Sequence, residues 1–98
     1  MPNSKKVVLH CTGNATRNLE QLVEDFIEGG VTFIAVVGED CGWIEDLVDS
    51  YVVGDGTKDR FILTSSHPGQ SVADAIEFAR SLSLEYAGDD VQVIELST

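Results

Sequence analysis

A chain of 98 residues with 43% hydrophobic and 23% charged residues has the size and balance of one small globular domain. Its formal net charge of −11 argues against nucleic-acid and anionic-membrane partners, because both would be repelled. The longest apolar run, Phe33 to Val37, is too short to span a bilayer, and no signal-peptide pattern follows Met1, so we expect a cytoplasmic protein.

The first half of the chain alternates two kinds of apolar segment. Lys6 to Cys11 is an apolar run typical of a parallel strand buried on both faces. Thr16 to Glu28 has the spacing of an amphipathic helix, with Thr16 or Asn18 placed to cap it. Val31 to Val37 predicts a second strand, and Asp40 is placed to cap a helix that begins at Cys41 and ends near Ser50.

The second half repeats the alternation. Arg60 to Thr64 predicts a third strand, and Ser65 to Gln70 its exit loop. Ser71 and Asp74 form a capping-box pattern at the start of a third helix. Val91 to Leu96 predicts a fourth strand, whose partly alternating pattern suits a sheet edge.

The order β-α-β-α-β-α-β predicts a single α/β domain over residues 1–98, a three-layer sandwich with a four-stranded parallel sheet. Two strand orders stay open: 2-1-3-4, as in flavodoxin-like folds, which we favour, and 3-2-1-4, as in half of a Rossmann fold. Strand one is central in both.

Ligands of such folds bind at the carboxyl ends of the strands. That edge of the sheet is built from residues 10–17, 38–43 and 64–71. The reactive side chains that fall there are His10, Cys11, Arg17, Asp40, Cys41, Ser65, Ser66 and His67.

The segment from Cys11 to Arg17 has the composition of an anion-binding loop. It joins a strand to a helix, where backbone N–H groups converge and the helix dipole favours negative charge. The same field lowers the pKa of a cysteine thiol, and an arginine binds two oxygens of a phosphate. Residues 1–19 also contain no acid. The groups expected to hold the oxyanion are Thr12, Gly13, Asn14, Ala15, Thr16 and Arg17.

The Cys-x5-Arg spacing resembles the phosphate-binding loop of cysteine-dependent phosphatases. Residues 7–23 are most similar to the low-molecular-weight protein tyrosine phosphatases and the related arsenate reductases, whose loop also follows the first strand and has Gly and Asn where Gly13 and Asn14 stand here. The resemblance implies that Cys11 is the nucleophile, Arg17 binds the phosphate and Asn14 shapes the loop.

Several features depart from that family. The residue after the arginine is Asn18 rather than Ser or Thr, the chain is shorter, and it has no Asp-Pro pair to supply the general acid. His67, in a His-Pro pair after the third strand, is the candidate acid in its place. Asp40, Cys41, Ser65 and Ser66 are accessory candidates at the same edge.

A structural interpretation of these residues stays open. Cys11 is then a small buried residue at the end of a strand, Arg17 is a solvated residue, and Ser65 to Gly69 is an ordinary turn. A redox pair of Cys11 with Cys41 is possible, although two ordinary thiols are the simpler interpretation. We predict no cofactor and no metal, because dinucleotide, Walker and metal-ligand spacings are all absent from the sequence.

Two functions of different classes follow, and whether the chain is an enzyme stays open with them. The first is a small domain that binds an oxyanion or phosphorylated ligand, as a cysteine-dependent phosphatase or a degenerate relative of one. The second is a non-catalytic acidic interaction domain that binds a protein partner, or forms a homodimer, through an edge strand or the Trp43 region. Thr64 to His67 also resembles a turn before the third helix of small bacterial α/β domains without assigned function.

Overall fold

The computed structural model describes residues 5–12, 18–54, 62–82 and 91–97, and within them four parallel strands alternate with three helices. The α/β class predicted from the sequence is therefore confirmed. The elements in chain order are β1 (Lys6–Thr12), α1 (Leu19–Glu28), β2 (Phe33–Gly38), α2 (Cys41–Val53), β3 (Leu63–His67), α3 (Val72–Ser81) and β4 (Val91–Ser97).

The sheet has the order β3-β2-β1-β4, which is 3-2-1-4. This is the second of the two predicted orders, and the favoured 2-1-3-4 order is not the one that the chain adopts. The composition of the strands explains the choice. β2 is buried from Phe33 to Val37 and needs neighbours on both sides, whereas β3 carries Thr64, Ser65 and Ser66, which tolerate an edge.

Two apolar layers hold the sandwich together. On one face of the sheet, α1 and α2 pack Val23, Phe26, Ile44 and Val48 against strand residues such as Leu9. On the other face, the small side chains of Ala75 and Ala79 let α3 lie close to the central strands. Among the described elements, α3 is the one helix on this face of the four-stranded sheet.

The third strand lies later in the chain than predicted. The apolar residues Phe61 and Ile62 suggested a strand from Arg60 to Thr64, but β3 pairs with β2 from Leu63 to His67. Arg60 and Phe61 lie outside the described residues. Ser65, Ser66 and His67 therefore belong to a strand and not to its exit loop, because parallel pairing with β2 satisfies their backbone groups.

Helix caps were predicted with mixed success. The capping box is confirmed, since Ser71 Oγ accepts from the Asp74 N–H and the Asp74 carboxylate accepts from the Ser71 N–H, both at 3.1 Å. Asn18 and Asp40 precede α1 and α2, but their φ angles are 63° and 55°, and neither side chain caps its helix. A side-chain cap requires extended backbone at that position. Asp40 therefore stands at the predicted position before α2, but the prediction that its side chain caps the helix was wrong. Thr16 lies outside the described residues.

Lys6 ties the sheet to the third helix. Its side chain is fully buried on the α3 face of β1, and its Nζ donates to the backbone oxygen of Leu82, just past the end of α3, at 2.8 Å. The carbonyl end of a helix is a favourable place for a cation.

None of the helices in the described ranges is long and apolar enough to cross a membrane.

Candidate functional site

The carboxyl end of β1 lies where the chain changes direction across the sheet. From β1 the chain passes to β2 on one side, while β4 pairs on the other side, with Cys11 opposite both Gly38 and Leu96. A crevice at such a switch point is the usual ligand site of an open α/β sheet. Of the predicted loop, Thr12 is the last residue of β1, whereas Gly13, Asn14, Ala15, Thr16 and Arg17 lie outside the described residues.

Cys11 is deeply buried at the carboxyl end of β1. Its side chain is 1% exposed and packs in the layer beneath α1 and α2. Its backbone oxygen accepts a hydrogen bond from the Glu39 N–H at 3.0 Å. Gly38 has a φ of 107°, and any side chain there would collide with the Cys11 backbone, so only glycine lets the two strand ends meet so closely.

The electrostatics of Cys11 oppose its use as a nucleophile. Burial above all, together with the negative charges of Cys41 and Asp40, raises the pKa of its thiol from 9.0 to about 11. The anion-loop hypothesis requires a lowered pKa, because the thiolate is the reactive form. At neutral pH this environment keeps Cys11 protonated.

Cys41 shares the surroundings of Cys11. It is the first residue of α2, is 3% exposed, and belongs to the same apolar layer. Both cysteines are free thiols. The structure thus brings Cys11, Cys41 and Asp40 together, as predicted from their strand exits. Asp40 is exposed and adds a negative charge where an anion site needs positive ones.

The structure does not bring His67 to Cys11. In the 3-2-1-4 order β2 separates β3 from β1, and the two side chains lie on opposite faces of the sheet. His67 is 6% exposed, its ring packs edge-on against Phe78 of α3, and its nitrogens bond Ser65 Oγ at 2.8 Å and Gln70 Oε1 at 3.2 Å. The predicted acid is therefore occupied on the face away from the cysteine.

The two accessory serines also separate, because neighbouring strand residues face opposite ways. Ser65 bonds His67 on the α3 face, whereas Ser66 points to the side of α1 and α2. On that side Thr64 Oγ1 donates to the Glu45 carboxylate at 2.5 Å, which joins β3 to α2. His10 lies on the α3 face, where its Nδ1 is 3.8 Å from the exposed Glu95 carboxylate.

The segment from Asn18 to Gly54, which contains α1 and α2, is strongly acidic. Residues 18–54 contain nine acids and no Lys, Arg or His, and none of these acids is buried. They are Glu20, Glu24, Asp25, Glu28, Glu39, Asp40, Glu45, Asp46 and Asp49. We call the outer surface of α1 and α2 the acidic face.

Two further features mark the acidic face. The side chain of Trp43, in the first turn of α2, is 53% exposed, so it is a surface residue and not part of the core. An open depression of about 550 Å³ lies between α1 and α2, lined by Asn18, Leu19, Glu20, Gln21, Glu24 and Tyr51.

Within the described ranges no group of three His, Cys, Asp or Glu side chains is placed to hold a metal ion.

Comparison with known proteins gives a family without a function. Residues 1–96 match the model of a family described as a domain of unknown function, DUF7684, and the chain belongs to that family. No curated protein and no solved structure matches the chain significantly.

Proposed function

We propose that this chain is a non-catalytic interaction domain that binds an arginine- or lysine-rich segment of a protein partner through its acidic face. The observation that carries the proposal is the run of nine acids without one basic residue over residues 18–54, with Trp43 exposed among them. A surface of one sign attracts a partner of the other sign and speeds its encounter.

Trp43 supplies the contact that long-range charge alone does not. An exposed indole binds a guanidinium or ammonium group through its π face, and Trp is among the residues that most often dominate interface energies. Asp46 lies one turn further along α2, and Asp49 follows on its exposed side. A basic side chain stacked on Trp43 would therefore have carboxylates within reach.

The chemistry of the buried cysteine supports a binding function over a catalytic one. The pKa of Cys11 is raised to about 11, its side chain is 1% exposed, and His67 lies on the other face of the sheet. A protonated thiol that lies apart from the predicted proton donor has little catalytic power.

The test is a titration of the full chain with an Arg-Gly repeat peptide, followed by Trp fluorescence and amide NMR shifts. The chain has one tryptophan, so fluorescence reports on Trp43 alone. We expect shifts on α1 and α2, none on α3, and weaker binding as added salt shortens the Debye length from about 10 Å at 0.1 M to about 3 Å at 1 M. A Glu-Gly repeat peptide is the control probe.

Matched variants separate a specific surface from general attraction to an acidic protein. Trp43→Ala should weaken binding roughly threefold to tenfold, whereas Val53→Ala, equally exposed on the same helix at 51%, should not. Asp46→Asn should weaken binding more than Glu77→Gln on α3, which removes one exposed charge in the same way. Equal effects of the paired variants, or shifts spread over both faces, would refute the proposal.

A second candidate function is oxyanion binding by residues 12–17. The observation that favours it is the position of Cys11 at the switch point between β2 and β4. Its test is alkylation of the two cysteines as a function of pH, with and without phosphate, vanadate or arsenate, read by peptide mass spectrometry. An ordinary or raised Cys11 pKa without protection by the anions would exclude this function.

A further inference from the structure

We propose that two copies of this chain pair through β3 in antiparallel fashion, which joins the two sheets into one of eight strands. Within the described residues β3 is an edge strand, and no described strand pairs with its N–H and C=O groups on the side away from β2. The proposal rests on the composition of that edge, on its hydrogen-bonding register and on two exposed apolar side chains beside it.

The five residues of β3 include neither of two common features that keep edge strands apart, a charged side chain and a proline. β3 reads LTSSH, without a charge from Asp, Glu, Lys or Arg and without a proline inside the strand. Natural edge strands are usually protected by such residues. β4, the other edge, carries Glu95. In a chain with a net charge of −11, β3 itself adds no acid to the contact, and the Glu45 carboxylate that touches it is bonded to Thr64 Oγ1.

The register of β3 defines which groups face outward. The Leu63 N–H donates to Thr32 O at 3.0 Å, so Leu63 and the alternate residues after it turn their backbone groups to β2. Thr64 and Ser66 therefore turn theirs to the open edge. A twofold axis at Ser65 places Thr64 of one copy opposite Ser66 of the other, and the two pairs exchange four hydrogen bonds.

The same register covers the exposed apolar groups. Leu63 and Phe78 are 38% and 40% exposed, and both lie on the α3 face beside β3. With the axis at Ser65, Leu63 stands opposite His67 of the second copy, whose ring is in contact with Phe78 at a centroid distance of 4.8 Å. Each Leu63 thus packs toward the Phe78 of the other copy, as a self-complementary contact requires.

The residues that form this dimer contact, Leu63, Ser66 and Phe78, are different from Trp43 and Asp46 of the proposed basic-segment site, although α2 touches β3 where Glu45 bonds Thr64. The dimer and the binding of a basic segment also respond oppositely to salt. Added salt weakens attraction between the acidic face and a basic peptide, whereas it screens the repulsion between two chains of net charge −11 and strengthens the dimer.

The test is sedimentation equilibrium of the full chain over a range of protein and salt concentrations. We expect a mass that rises from 10.6 kDa to twice that value with protein concentration, at lower concentrations when salt is added. A monomer at the concentrations used for NMR, with or without salt, would overturn the proposal.

Three variants locate the interface. Ser66→Pro removes an N–H that faces the second copy, and Leu63→Lys places a charge in the contact. Each should therefore raise the protein concentration at the monomer–dimer midpoint at least tenfold. Val93→Lys makes the same change in charge on the other edge strand, at a side chain 43% exposed, and should leave the midpoint unchanged. Circular dichroism verifies folding of each variant. A dimer that survives the β3 variants, or is lost in Val93→Lys, contradicts pairing through β3.

Discussion

The Nζ of Lys6 donates to the backbone oxygen of Leu82 at 2.8 Å, across 76 residues of sequence, from a side chain with no exposed surface. The contact satisfies both a buried ammonium and a carbonyl left over at the end of α3. It also joins the start of the central strand to α3, which packs on that face of the sheet.

We expect Lys6→Met to lower the free energy of unfolding by roughly 1–3 kcal/mol, because the Leu82 carbonyl loses its partner while the volume stays filled. Lys6→Ala should cost more, since it also leaves a cavity. Urea unfolding measures both changes. Arg80→Met, at an exposed position of α3, is the control and should change stability by no more than about 0.5 kcal/mol. A loss for Lys6→Met no larger than the control would contradict this role.

Substitution by alanine should change stability in opposite directions at two glycines, Gly38 at the carboxyl end of β2 and Gly42 in the first turn of α2. Gly38→Ala should destabilise by roughly 2–4 kcal/mol, because its φ is 107° and the new Cβ meets the Cys11 backbone. Gly42→Ala, inside α2 with open space around it, should stabilise by about 0.5–1 kcal/mol. Thermal or urea unfolding tests the pair, and a shared sign would show that backbone geometry does not decide the outcome.

Stability should fall in alkaline solution because of Cys11. Burial raises the pKa of its thiol to about 11 in the folded chain, against 9.0 as the ordinary value. The folded state thus favours the neutral thiol, and this contribution is complete below pH 9 and is lost as the pH rises toward 11. It amounts to roughly 2–3 kcal/mol.

The measurement is urea unfolding from pH 8 to pH 10.5, compared with Cys11→Ala at each pH, since the difference isolates one thiol from the other titrating groups. The stability difference should shrink as the pH rises. A constant difference over this range would show that the Cys11 pKa is the same in the folded and unfolded chain.

The helix starts offer a further matched pair. Ser71→Ala removes a side-chain cap that accepts from the Asp74 N–H, and it should cost about 1 kcal/mol. Asp40→Gly removes no cap and relieves a φ of 55°, so it should stabilise by roughly 0.5–1 kcal/mol. Thermal unfolding distinguishes the two, and a loss of stability for Asp40→Gly equal to that of Ser71→Ala would mean that the Asp40 carboxylate does cap α2.

The sequence predicted the parts of the fold that local patterns encode. The continuous apolar runs at Val7 to Leu9 and Phe33 to Val37 identify strands buried on both faces, and the Ser71 box identifies the start of α3, because spacing and capping act over a few residues. The alternation of strands and helices was enough for a parallel sheet. The acid-rich run over residues 18–54 was equally visible in the sequence.

Only the tertiary structure decided which residues meet. The strand order places β2 between β1 and β3, and the alternation of side chains along a strand places Cys11 and His67 on opposite faces of the sheet. The predicted nucleophile and the predicted acid are therefore separated. Long-range pairing likewise moved β3 to Leu63–His67 and buried Lys6 against Leu82. Such contacts depend on the free energy of the whole assembled sheet, which no local pattern contains.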